Sequence, residues 1–160
     1  MTVRDANFAD IPQIADLLVE AHGRSRYAGT DVQVDVREAK ALLSRSIQRH
    51  GGERIGSTLV LVAQRDSFVT GVLVGVLDRI LGIGTRMVAS DLFFVCSPLV
   101  EPRDPERMLE TFESWALQNP NVFEILLGAH DAVVDPERVA RLYERRGFRR
   151  CGYIFKKEKP

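Results

Sequence analysis

Apolar positions follow two rhythms along the chain, and the switch between them divides it. Up to Ile47 the spacing is helical. After a short strand in "VRD", Ile14, Leu17, Leu18 and Ala21 line one face of a helix that Asp10 can cap and whose first turn accepts Pro12. A polar stretch from Gly23 to Thr30 carries Arg24, Arg26 and Tyr27. A second helix opens near Asp35, striped by Val36, Ala39, Leu42, Leu43 and Ile47 and stopped at Gly51-Gly52. The pattern then turns to β-branched runs. "STLVLVA" and "SFVTGVLVGVLDRI", joined by the polar "QRDS", predict a hairpin, and "TRMVASDLFFVCS" predicts the next strand.

Helical spacing returns at Met108, Leu109, Phe112, Trp115 and Ala116, which predicts a helix from about Pro105 to Gln118 with Asp104 as its cap. "NVFEILLGA" is almost wholly apolar, the pattern of a strand covered on both faces. In "DPERVARLYERRG", Asp135 caps a last helix, Pro136 starts it and Gly147 ends it. "FRRCGYIFKKE" predicts a final strand. The order is β-α-α-β-β-β-α-β-α-β, without repeats or linkers, in a single domain over 1–160. It predicts an α/β fold with a mixed sheet covered by helices.

Composition narrows the function classes. Lys+Arg and Asp+Glu are both 22, so the chain lacks the basic excess that a nucleic-acid coat requires. Cys96 and Cys151 have no metal-type spacing and fall in strand-like runs, so buried free thiols are expected. His22, His50 and His130 form no i,i+4 ligand pair, and no metal site is expected. No apolar run approaches the ~20 residues of a membrane span, and "MTVRDANFAD" has no signal-peptide core. The expected setting is soluble, reducing and cytoplasmic. "GIG" at 82–84 leads into a strand rather than a helix, the wrong context for a phosphate loop.

The element order, with "LYERRGF" before a final strand, resembles the GNAT family of acetyl-CoA-dependent N-acyltransferases. "VRDANFADIPQIADLL" is similar to that family's first strand and helix. "DPERVARLYERRGFRRCGY" is similar to its last helix and strand, where a typical member reads N-x-x-A-x-x-x-Y-x-x-x-G-F. "FESWA" and "YIFKKE" resemble a subset found in tailed phages and prophages. The resemblance implies a GNAT-like mixed central sheet of about six to seven strands flanked by about four helices. It also implies acetyl-CoA as cofactor and an amine as acceptor.

The resemblance implies site residues too. Tyr143 matches the position whose hydroxyl protonates the departing thiolate, a sensible role for a phenol. The alternative is that Tyr143, with Val139 and Leu142, is a packing face. Asp91 lies on the strand where the family often places a base or an amine contact; a strand-end aspartate more often caps a turn or pairs with an arginine. Asp78 is a lesser candidate. Phe94 and Val95 lie on the strand that would flank pantetheine. In the family's pyrophosphate loop, R/Q-x-x-G-x-G/A, glycines free backbone amides at a helix N-terminus. Laid on that pattern from Pro98, the arginine falls on Glu101 and the glycines on Asp104 and Glu106. No glycine occurs from residue 85 to 127, and prolines stand at 98, 102 and 105. Arg103 and Arg107 are the side chains left to reach phosphates, or ordinary surface arginines.

Two functions follow. One is an N-acetyltransferase working through an atypical loop. The other, which the 98–107 loop favours, is a GNAT-fold protein that has lost its pyrophosphate loop and binds or assembles with a partner. Its setting would be a bacterial host cytoplasm, or a virion if phage-encoded. A homo-oligomer or larger assembly, with no nucleic acid or membrane, is the expected company. The basic stretch from Arg141 to Lys159, with eight Lys/Arg against two Glu, would attract an acidic partner or stand as a solvated end.

Overall fold

A computed structural model of the chain describes residues 2–129, 132 and 135–160. The uninterrupted apolar run "TLVLVA" forms most of β2 (Thr58–Arg65) and is buried throughout. Period-2 alternation explains why no polar residue breaks it. Leu59, Leu61 and Ala63 enter one core cluster, and Val60 and Val62 enter another on the opposite face. A strand covered on both sides by helices has no solvent face to make polar.

β3 (Phe68–Arg79) returns antiparallel to β2 through a two-residue turn. Asp66 and Ser67 both hold positive φ, 46° and 69°, the twist that a tight hairpin needs. β1 (Val3–Asp5) pairs with the outer side of β2. β4 (Met87–Cys96) runs antiparallel to β3, and β5 (Val122–Leu126) runs parallel to β4. Among the described residues the sheet order is β1-β2-β3-β4-β5.

Two helices cover each face. α1 (Ile11–Gly23) and α2 (Val36–Gln48) bring Ile14, Leu17 and Leu43 onto Val60, Val62, Val72 and Val74. α3 (Asp104–Gln118) and α4 (Pro136–Arg145) cover the other face with Met108, Leu109, Phe112 and Tyr143. The approach of α3 requires a bare sheet beneath it. A Cβ on Gly75 would collide with the Phe112 ring, and one on Gly71 would press on Met108. Arg146 at the end of α4 ties to Glu113 of α3 through a 2.6 Å ion pair.

Several expectations change. Among the described residues the sheet has five strands, not six to seven: residues 149–160 join no strand and are exposed. Arg150 pairs with Glu137 and Glu144 on the exposed side of α4. Cys151 is exposed rather than buried. β5 is an edge strand with Phe123 65% and Leu126 43% exposed, not a strand covered on both faces. Asp104 does not cap α3. Arg103 occupies that position, and Asp104 begins the helix with its carboxylate turned to Thr2 and Arg107. Asp10 gives α1 no side-chain cap: its carboxylate takes Arg4 at 2.8 Å on each oxygen and accepts the Asn7 amide at 2.8 Å, closing a capping box on the turn Phe8–Asp10 before α1. Asp35 and Asp135 do cap α2 and α4, accepting from the amides of Glu38 and Glu137.

Candidate functional site

The chemistry expected from the sequence converges where β4 and β5 separate. The two strands pair only from Met87↔Val122 to Ser90↔Leu126. Beyond that point Asp91 to Cys96 keep β3 as neighbour but not β5. A bulge shapes this half of β4. Asp91 opposes Gly75 and Phe93 opposes Val74, so Leu92 has no counterpart. The extra residue reverses the alternation. Phe94 and Cys96 thereby pack on the α3/α4 face, while Phe93 and Val95 pack on the α1/α2 face.

Asp91 and Tyr143 meet at one residue, Gly128. The Asp91 carboxylate accepts the Gly128 N–H at 3.3 Å, and the Tyr143 hydroxyl donates to the Gly128 carbonyl at 3.3 Å. Tyr143 is buried, between Phe94 at 6.5 Å and Phe148 at 5.9 Å between ring centroids. Burial first, then the charges of Asp91 and Cys96, raise its pKa well above the ordinary 10.0. The phenol therefore stays protonated at neutral pH and gives up its proton reluctantly.

Cys96 closes β4. Burial pushes its thiol up to about 12, the negative charge of Asp104 adds to this, and Arg138 and Arg24 oppose it. It is a half-buried thiol packed against the α3/α4 core. Arg24 also reaches the Cys96 carbonyl at 3.4 Å. Arg24 and Arg138 are thus the cations that act on the end of β4. The sequence offered Arg24 only as part of a polar loop. Arg138 carried no signal, since helix position alone does not show which strand end a side chain faces.

The other candidates lie elsewhere. Val95 faces the α1/α2 layer. Asp78 accepts the amide of Arg79 at 2.7 Å, at the turn after β3. Arg103 and Arg107 are exposed and line hollows with Thr2. The larger hollow, about 730 Å³, is bounded by Thr2, Val3, Arg107, Glu110, Thr111 and Ser114. It lies toward β1, the sheet edge opposite β5. In the polar loop after α1, Arg26 lies over the Tyr27 ring and donates to its hydroxyl at 2.9 Å. Among the described residues no group of three or more His, Cys, Asp or Glu is placed to hold a metal. His130 lies outside the described residues.

The segment from Ser97 into α3 is closed on itself. Leu99 and Val100 donate their amides to the Ser97 hydroxyl and carbonyl, and Asp104 donates to Glu101. Glu101 pairs with Arg65 at 3.2 Å. Asp104 is completely buried. One carboxylate oxygen takes Thr2 at 2.7 Å and Arg107 at 3.3 Å, and the other is enclosed without a hydrogen-bond partner.

No family model matches the sequence, and no curated protein is significantly similar to it. Solved structures do share its fold. Glucosamine-6-phosphate N-acetyltransferase from Arabidopsis thaliana superposes with a TM-score of 0.69 at 9% identity, over 98% of this chain and 96% of that one. A Trypanosoma brucei acetyltransferase gives 0.66 at 14% identity, over 98% of each chain. A mutant form of the BH1408 protein of Bacillus halodurans gives 0.71 at 18%, over the whole of both. The chain has the α/β fold of GNAT acetyltransferases, with five strands and four α-helices among the described residues. Among the described residues no helix is long and apolar enough to cross a membrane.

Proposed function

We propose that this chain uses the acetyltransferase fold as a binding or assembly scaffold and holds acetyl-CoA weakly or not at all. The observation that carries the reading is Asp104. A helix N-terminus that receives a pyrophosphate presents free amides and a positive dipole end. Here the first residue of α3 is a buried carboxylate with an unpartnered oxygen, and Glu106 adds a second acid in the same turn. Two of the prolines, Pro98 and Pro102, remove donors from the approach, and the amides of Leu99, Val100 and Asp104 are already bonded. An anion placed there meets like charge, and each lost amide contact costs roughly 1 kcal/mol. The residues present do not fit the pyrophosphate. A place in a phage particle, which the likeness of "YIFKKE" and "FESWA" implies, is one form of this scaffold role.

A second reading, an N-acetyltransferase acting on an amine, has one observation in its favour. Asp91 and Tyr143 converge on Gly128 where β4 and β5 part, with the charges of Arg24 and Arg138 close by. Titration with acetyl-CoA decides between the two. We expect no heat of binding and no change in melting temperature at millimolar acetyl-CoA. Occupancy at 100 times a dissociation constant would add ~2.7 kcal/mol. For a chain of this size that corresponds to a rise of roughly 5–10 °C. A shift of that order, together with acetylation of an amine, would overturn the scaffold reading.

A further inference from the structure

The β1 edge of the sheet runs along a groove. Arg4 pairs with Val62, the Gln64 amide donates to the Thr2 carbonyl at 2.6 Å, and the Ala6 amide donates to the Val60 carbonyl at 2.9 Å. In an antiparallel ladder these alternate residues turn their backbone groups toward the partner strand. Val3 and Asp5 therefore turn theirs outward, where no strand meets them among the described residues. Arg4 takes the Asp5 carbonyl at 3.0 Å. That leaves the Val3 amide and carbonyl and the Asp5 amide facing out. The Val3 side chain packs on the α3 side of the sheet, and Arg4 turns to Asp10 on the other.

The second wall of the groove is α3. Arg107, Glu110, Thr111 and Ser114 fall on one helix face, and with Thr2 and Val3 they bound the hollow of about 730 Å³. A smaller hollow, about 340 Å³, continues past Thr2 and Arg107 to Arg103. A strand edge beside a helix face, with space between them, accepts an extended chain as an added strand. The charges along α3 set which chain fits. At one end stand the exposed Arg103 and Arg107. Asp104 draws on Arg107 at 3.3 Å and Glu101 is engaged by Arg65, so Arg103 leaves this end net positive. Glu106 acts on Arg146 of the neighbouring helix instead. One turn further on, the exposed Glu110 makes the wall negative. That turn is ~5.4 Å, close to the ~6.6 Å between successive residues on one face of a strand. We infer that β1 and α3 form a docking groove for an extended peptide segment of a partner protein. The segment adds as a strand to the β1 edge, with a carboxylate facing Arg107 and, two residues along, a cation facing Glu110. The groove lies at the edge opposite β5, so this contact is independent of whether acetyl-CoA binds.

Titration of the full chain with short blocked peptides tests it. V-T-E-V-K-V-T and V-T-K-V-E-V-T present the charge pair on one face in either chain direction, and V-T-V-E-K-V-T puts the two charges on opposite faces. One of the first two should bind, roughly tenfold or more tighter than the third. Hydrogen exchange should then show the amides of Val3 and Asp5 becoming protected, with those of β5 unchanged. Ser114→Arg, at an exposed position, should fill the groove and abolish binding with circular dichroism unchanged. Glu110→Lys should shift the preference to a peptide with glutamate at both charged positions. Val3→Pro removes an outward amide without touching the bonds to β2, and should weaken binding if the fold is kept. No binding of either peptide at millimolar concentration would overturn the inference. Equal binding of all three peptides, or binding that survives Ser114→Arg, would overturn it as well. So would a dimer of the free chain that Ser114→Arg dissociates, since a second copy would then fill the groove.

Discussion

Tyr143 shows how one side chain answers to its surroundings. Its ring is packed between Phe94 and Phe148 and its hydroxyl is held by Gly128. Tyr143→Phe should therefore cost about 0.5–1.5 kcal/mol, the worth of an ordinary hydrogen bond, measured by urea denaturation at neutral pH. The substitution should also alter the alkaline limb. A phenol whose folded pKa is raised favours folding fully below the unfolded value, and that contribution is lost as pH rises past it. For Tyr143 the loss begins near pH 10, and for the Cys96 thiol near pH 9. The wild type should lose stability steeply above pH 10, and Tyr143→Phe should fall less steeply there. Equal slopes for the two proteins would show that Tyr143 titrates normally. Much of this residue was readable beforehand: its helix, its packing face and its match to a known motif position. Gly128 was not, because its contact with Tyr143 joins residues from different elements.

Between elements, the most demanding contact is α3 on the sheet. Phe112 lies over Gly75, and the ring fills the space where a Cβ would stand. Gly75→Ala should destabilise by about 1–3 kcal/mol through overpacking, because Phe112 is fully buried and cannot swing away. Thermal melting would register this as a drop of several degrees, and an unchanged melting temperature would mean that α3 sits farther from β3. The caps show what local sequence decides. Asp135 caps as the pattern predicts, and Asp35 caps α2 in the same way. Asp10 and Asp104 have the same local signature and do not cap. Arg4 and the Asn7 amide hold the first, and Thr2 and Arg107 hold the second. Two of those partners, Arg4 and Thr2, are on or beside β1, which local pattern could not bring to either helix.

At the scale of the whole molecule, the tail stands apart from the core. Residues 151–160 touch neither hydrophobic cluster. Deleting them should leave the stability of the dilute chain within about 0.5 kcal/mol, as for other surface changes. A large loss in denaturant midpoint would mean instead that the tail completes its own sheet.

The sequence alone determined the helices and most strands, because apolar period and turn chemistry are local properties of the chain. It also carried the GNAT-like fold, since element order and the "LYERRGF" motif are linear features. Tertiary structure decided the rest. The bulge at Leu92 chose which of Phe93 to Cys96 face α3 and α4, reversing what simple alternation predicts. The predicted last strand joins no sheet among the described residues, and β5 is the last strand of the order. The physical reason is common to both. A strand exists only when a neighbour supplies its hydrogen bonds, and a face is chosen only when something packs against it.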